Sequence, residues 1–188
     1  MKDKIIYFVM GGLVLVGVLF VVLFNKKSSG DISLNNSSEL KSMINSVYKM
    51  ADNDLPSLET SVIDVSDKDM VESFTGLSNN DSVEAVVVSE PLMTSQAYSF
   101  VAVKFKNGTN IDSVKEEMYN NINMDKWMCV SADVLYLTNY DNTVVYVMSD
   151  EEWGKPVYEA FKKYVDNKNG KELIKNNSLS GGGFSPVA

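Results

Sequence analysis

The feature that most constrains this chain is an uncharged run near its start, residues 5–24. Fifteen of the twenty residues in IIYFVMGGLVLVGVLFVVLF are Ile, Leu, Val or Phe. As an α-helix the run would be about 30 Å long, which matches the hydrocarbon thickness of a bilayer. Cleavage as a signal peptide is disfavoured, because the run passes directly into Asn25 and Lys26 rather than into small residues. We therefore predict a single transmembrane signal anchor over residues 5–24, with the lipid bilayer as its partner.

The lysines that flank this run give little guidance on orientation. Lys2 and Lys4 precede it, and Lys26 and Lys27 follow it, so the positive-inside rule is nearly balanced. The short N-terminal tail of residues 1–4 favours an N-inside anchor. We therefore predict a single-pass protein of the cell membrane whose C-terminal domain lies outside the cytoplasm, and a cytoplasm-facing membrane adaptor remains the alternative.

The composition excludes several classes of protein. The net charge is −8, and residues 31–188 hold 13 Lys against 24 acids, so a nucleic-acid partner is not expected. The chain has no His and no Arg, which removes the usual general base and most zinc and copper sites. A single Cys excludes an internal disulfide. The sequence predicts no metal and no cofactor.

Changes in local composition divide the rest of the chain. Residues 25–36 are rich in Ser, Asn and Gly and predict a flexible linker. Residues 37–165 carry helical and strand periodicities and predict one α+β domain, long enough for a single core. Residues 166–188 lose periodicity and include SGGGFSP, which predicts a mobile C-terminal tail.

The periodicities within residues 83–165 follow one order twice. A Val-rich strand, an alternating strand over residues 98–106 and a helix from residue 111 are followed by a hairpin over residues 134–148 and a final helix. This order suggests a strand–strand–helix repeat. We predict a two-layer α+β domain with an antiparallel sheet of about four strands and helices on one face.

Five stretches of this pattern together resemble a known family. They are Leu55-Pro56, FTGL, SEPLMTSQAYSFVAVKFKN, DSVKEEMYNNI and the final hairpin with its helix. The pattern resembles a bacterial domain-of-unknown-function family of small exported or membrane-tethered proteins. The resemblance implies a compact α+β domain outside the cytoplasm. It implies no activity and no functional residues, since none is established for the family.

Few residues suggest chemistry. Cys129 lacks a His partner and is expected to be a buried apolar side chain. The acids of residues 52–72 do not have the spacing of a calcium loop. Glu90 with Asp150, Glu151 and Glu152 could supply a carboxylate pair for glycoside hydrolysis, although solvated turn and helix-start positions also explain them. We predict no catalytic residues.

The loop PLMTSQ, residues 91–96, is the one candidate for contact with a partner. Leu92 and Met93 are either exposed for this contact or tucked under the sheet. The predicted function is a non-enzymatic binding or interaction module at the cell envelope, with an envelope protein or peptide as partner. A carboxylate-based envelope hydrolase is the alternative.

Overall fold

The computed structural model describes residues 32–177, and the fold belongs to a unit that begins at Leu34. Its elements in chain order are α1 Ser37–Ala51, β1 Leu58–Ile63, α2 Lys68–Thr75, β2 Val83–Pro91, β3 Tyr98–Phe105, α3 Ile111–Asn121, β4 Val134–Tyr140, β5 Thr143–Ser149, α4 Glu151–Tyr164 and β6 Leu173–Asn176. The class is α+β.

The strands form one antiparallel sheet with the order β1-β2-β3-β5-β4-β6. The prediction of about four strands is wrong, because a short strand is added at each edge. Neither edge strand is among the four strands predicted for the sheet within residues 83–148. β1 reads LETSVI and β6 reads LIKN, so both are shorter than the four strands between them, and half of the residues in each are polar.

The prediction of helices on one face is also wrong. Every residue of β3 and of β5 is buried, so both faces of the central sheet are covered. On one face, Val71 of α2 and Met118 of α3 join a core cluster with Val101 of β3. On the other face, α1 and α4 pack against each other and against β2, β4 and β5. The order of the suggested repeat is present, but its two helices lie on opposite faces.

Polar side chains begin each helix. Asn36, Asp67, Asn110 and Asp150 each accept a backbone N–H from the first turn of the helix that follows. Asn36 lies in the predicted linker. The acid at position 67 therefore has a local structural role, which agrees with the poor calcium-loop spacing around it.

The predicted boundaries need correction at both ends of the domain. Leu34, in the predicted linker, is buried, and β6 lies in the predicted tail, where it pairs with β4. Among residues 32–177, no helix has the length and apolar character needed to cross a membrane. The description as a transmembrane, single-pass protein is therefore wrong for this part of the chain. Residues 5–24, from which the anchor was predicted, lie outside the described residues.

Candidate binding surface at a sheet edge

The first part of the candidate surface is the outer edge of β1. This strand pairs with β2 on one side, and no strand of residues 32–177 pairs with its other side. Ser61 and Val62 are exposed, and the strand contains neither Pro nor Lys. Edge strands in soluble proteins are commonly blunted by such residues, because unpaired N–H and C=O groups can pair with another chain.

β1 is held firmly on its inner side. Its register with β2 runs from Leu58 opposite Pro91 to Ile63 opposite Val86, without a bulge. The pairing extends beyond the strand through the Leu92 N–H, which donates to the Ser57 carbonyl at 3.4 Å. Side chains add a hydrogen bond of 3.0 Å between the hydroxyls of Thr60 and Ser89. The open edge is therefore part of an ordered strand.

A groove of about 270 Å³ runs along one face of this edge. β1 contributes alternate residues to it, as expected for side chains on one face of a strand. The groove is lined by Glu59, Ser61, Ile63, Phe74, Val88, Glu90, Pro91 and Leu92. It combines an apolar floor with two carboxylates.

The loop that follows β2 carries the two predicted contact residues. The side chains of Leu92 and Met93 are 68% and 62% exposed, so they are not tucked under the sheet. Their role in binding stays a prediction. Leu92 also lines the groove, which places the loop at the end of the β1 edge.

A second loop, residues 122–133 between α3 and β4, contacts the first. The Met128 N–H donates to the Thr94 carbonyl at 3.1 Å, and the Met128 side chain is 70% exposed. Cys129 beside it is exposed with a φ of 62°, so the prediction of a buried Cys is wrong. Sequence reasoning missed Met128, because nothing local indicates that its loop lies beside residues 92–97.

An ion pair lies beneath this surface. Lys126 Nζ contacts Glu90 Oε1, and the Ser99 hydroxyl donates to the same oxygen at 2.7 Å. The Lys126 ammonium also lies 5.1 Å from the ring centres of Phe74 and Trp127. Burial lowers the pKa of Lys126, and the Glu90 carboxylate opposes this change. The pair joins the groove wall to the second loop.

The same cluster does not form a working nucleophile. A Ser–Lys pair would need a hydroxyl that reaches substrate and gives its proton to the amine. Ser99 is fully buried, and its hydroxyl donates to Glu90 instead. Lys126 Nζ lies 3.3 Å from Ser99 Oγ and is engaged by the same carboxylate. The arrangement is suited to holding two loops together.

Three of the carboxylates considered for glycoside hydrolysis have structural contacts. Glu90 is engaged by Lys126, Asp150 caps α4 by accepting the Trp153 N–H, and Glu151 contacts Lys155 at 3.2 Å. Burial raises the pKa of Asp150. Within residues 32–177 no group of three or more His, Cys, Asp or Glu side chains is placed to hold a metal ion.

A larger groove of about 570 Å³ lies between α4 and β6 at the opposite edge. The rings of Tyr136 and Tyr158 stack in it with their centres 4.9 Å apart. Three of its acids have basic partners on α4, since Lys155 contacts Glu151 and Lys162 contacts both Glu159 and Glu172. These contacts tie β6 to α4, and the groove presents no exposed apolar loop.

Comparison of the chain with family models, with curated proteins and with solved structures gives no match. The resemblance to the family of unknown function therefore stays a prediction.

Proposed function

We propose that this protein is a non-enzymatic binding module that recognises a protein or peptide partner through the surface around β1. We call this surface the β1 surface and define it by the outer edge of β1, the groove beside it, and the exposed Leu92, Met93 and Met128. One observation carries the proposal. The three most exposed large apolar side chains of the described residues lie on two loops joined by a hydrogen bond, at one end of an open edge strand.

An exposed surface of this kind carries a risk of unwanted association unless it binds a partner. An exposed edge strand invites pairing with other chains, and exposed large apolar side chains promote association. Here the two features occur together and are supported from below by the Glu90–Lys126 pair. Binding residues commonly lie on loops that a rigid scaffold positions, as these apolar side chains do.

The test is site-specific photo-crosslinking of the full chain in the cells that produce it. A benzoylphenylalanine residue would replace Leu92, Met93 or Met128 in turn. The matched control replaces Ile174, which is half exposed on the opposite edge. We expect the same crosslinked partner from the three surface positions and its absence at the control position. Equal crosslinking at Ile174, or none at the surface, would contradict the proposal.

The location of the domain outside the cytoplasm, at the cell envelope, stays a prediction. It would be tested by adding a protease to intact cells, with opened cells as the control for cleavability. Cleavage in intact cells is the expected result. Cleavage only in opened cells would place the domain in the cytoplasm and favour the adaptor alternative.

A further inference from the structure

We propose that the partner segment is an extended, basic peptide that adds a strand to β1 and places an apolar side chain in the groove. This inference rests on the proposed function and names the chemistry of its ligand. The observation behind it is the coincidence of three properties: an open edge, a groove along one face of that edge, and a strong excess of acid in the segment of chain that contains the edge strand.

The edge provides the main-chain contacts. β1 is six residues long, so its outer side offers a row of N–H and C=O groups over about 20 Å. An added strand would satisfy these groups whatever its sequence, as in other complexes that form by strand addition. The strand is fixed on its inner side through all six pairs with β2, so the partner meets a preformed edge.

The groove provides the side-chain contact. Glu59, Ser61 and Ile63 line it from β1, and Phe74 of α2 contributes a ring. Side chains of an added strand also alternate between the two faces. Every second residue of the partner would therefore face the groove, and Val88 with Leu92 would receive an apolar one.

The charge selects a basic partner. Residues 52–72, which contain β1, hold seven acids and one Lys. The acids are Asp52, Asp54, Glu59, Asp64, Asp67, Asp69 and Glu72. Lys126 contacts Glu90, which lines the groove, and its charge is engaged by that carboxylate. A segment that carries Lys or Arg would be attracted to this edge, and an acidic segment would be repelled.

The first experiment selects twelve-residue peptides from a random displayed library on the full chain. The enriched peptides would then be synthesised, and their dissociation constants measured for the wild type and for two variants. Ser61→Lys places a charge and a long stem on the open edge, and Ile174→Lys is the matched change on β6. Both residues are exposed in the free protein. Thermal unfolding shows that the variants fold, and Glu59→Lys replaces Ser61→Lys if that variant does not fold.

We expect the selected peptides to be rich in Lys and Arg, and we expect these basic residues to alternate with apolar residues. Ser61→Lys should weaken their binding by about tenfold or more, the equivalent of losing one good polar contact, and Ile174→Lys by less than about twofold. Binding should also weaken as salt is raised from about 50 to 200 mM, because the attraction is between exposed charges.

Methylation of single peptide nitrogens supplies the readout that is specific to strand addition. Alternate residues of an added strand donate to β1, so N-methylation should abolish binding at every second position and leave the intervening positions nearly unchanged. A flat dependence on position would overturn the inference, as would peptides that are acidic or that respond equally to both lysine variants.

The two proposals fail in different ways. A partner that crosslinks at Leu92, together with no selectable peptide, would retain the proposed function and overturn strand addition. Absence of both would overturn the two together.

Discussion

The two edge strands of the sheet, β1 and β6, differ in length, charge and cover. β6 has four residues and carries Lys175, whose ammonium donates to the Tyr119 carbonyl at 3.2 Å. The Tyr119 hydroxyl in turn donates to the Ile174 carbonyl at 3.2 Å. β1 has six residues, no lysine and no comparable cover within residues 32–177.

The difference is that residues of the described chain protect the outer edge of β6 but not that of β1. A short strand with an inward-reaching lysine is a known way of keeping an edge from pairing with other chains. β6 has both features, and β1 has neither. Because both edges belong to one sheet, β6 serves as an internal control for every property that we attribute to β1.

The largest expected effect is at the ion pair between Lys126 and Glu90, which lies beneath the β1 surface. Lys126→Met keeps the apolar stem but leaves the Glu90 carboxylate unpaired and mostly buried. We expect a loss of about 3 kcal/mol in the free energy of unfolding, since breaking a buried ion pair from one side leaves an uncompensated charge. Urea denaturation measures it. The β6 counterpart, Lys175→Met, should cost about 1 kcal/mol or less.

The matched double variant separates charge burial from packing. Replacing both partners, Lys126→Met with Glu90→Met, should bring stability back to within about 1 kcal/mol of the wild type. A double variant as unstable as the single one would show that the ion pair is not the cause.

The next effect depends on pH and concerns Tyr48 of α1, whose hydroxyl accepts from the Tyr98 hydroxyl at 3.4 Å. Burial raises the pKa of Tyr48 from 10.0 to about 12, although hydrogen bonds with Ser89 and Tyr98 act to lower it. Burial also raises the pKa of Tyr98. The unfolded chain therefore releases this proton first as the pH rises. The contribution of Tyr48 to stability is fully present below pH 10 and is lost as the pH passes through about 12.

Tyr48→Phe tests this directly. Between pH 9.5 and 12, the wild type should lose about 2 kcal/mol more stability than Tyr48→Phe does. Urea unfolding across this range is the measurement. Parallel pH profiles for the two proteins would show that Tyr48 ionises alike in the folded and unfolded chain.

A smaller effect is expected at the covered edge. Tyr119→Phe removes the hydroxyl that donates to the Ile174 carbonyl and keeps the ring under Lys175. It should cost about 1 kcal/mol and speed amide exchange in β6 more than in β1. Equal acceleration of amide exchange in β6 and β1 would contradict the interpretation that the Tyr119 hydroxyl protects β6.

The smallest effect is expected at the open edge itself. Val62→Thr changes an exposed side chain of β1 and should alter the free energy of unfolding by less than about 0.5 kcal/mol. It should nevertheless reduce self-association at high protein concentration, measured by light scattering, because the edge becomes less apolar. The same change at Ile174 of β6 should leave self-association unaltered.

The parts of the fold that local sequence determines could be predicted. The helix periodicity from Leu40 onward and the alternation of Tyr98–Phe105 each identify an element. The apolar residues on both faces of β3 agree with helices on both sides of the sheet, whereas the prediction placed helices on one side only. β1 and β6 were missed as sheet edges because their sequences are half polar, as half-exposed edges require.

The candidate site shows the same limit. Leu92 and Met93 could be selected from sequence because a turn-like loop with adjacent apolar residues is a local signal. Met128 and Lys126 could not, because their position depends on how residues 122–133 return to the end of β2. The signal that could have found them is the unusual run of Lys126, Trp127 and Met128 in a loop.

Amide hydrogen exchange of the full chain, with and without a selected basic peptide, tests the central claim most directly. The outward amides of β1 should exchange rapidly in the free protein and become protected by the peptide, while β6 exchanges at an unchanged rate. Protection that is absent from β1, or that occurs equally at β6, would contradict the assignment of β1 as the binding edge.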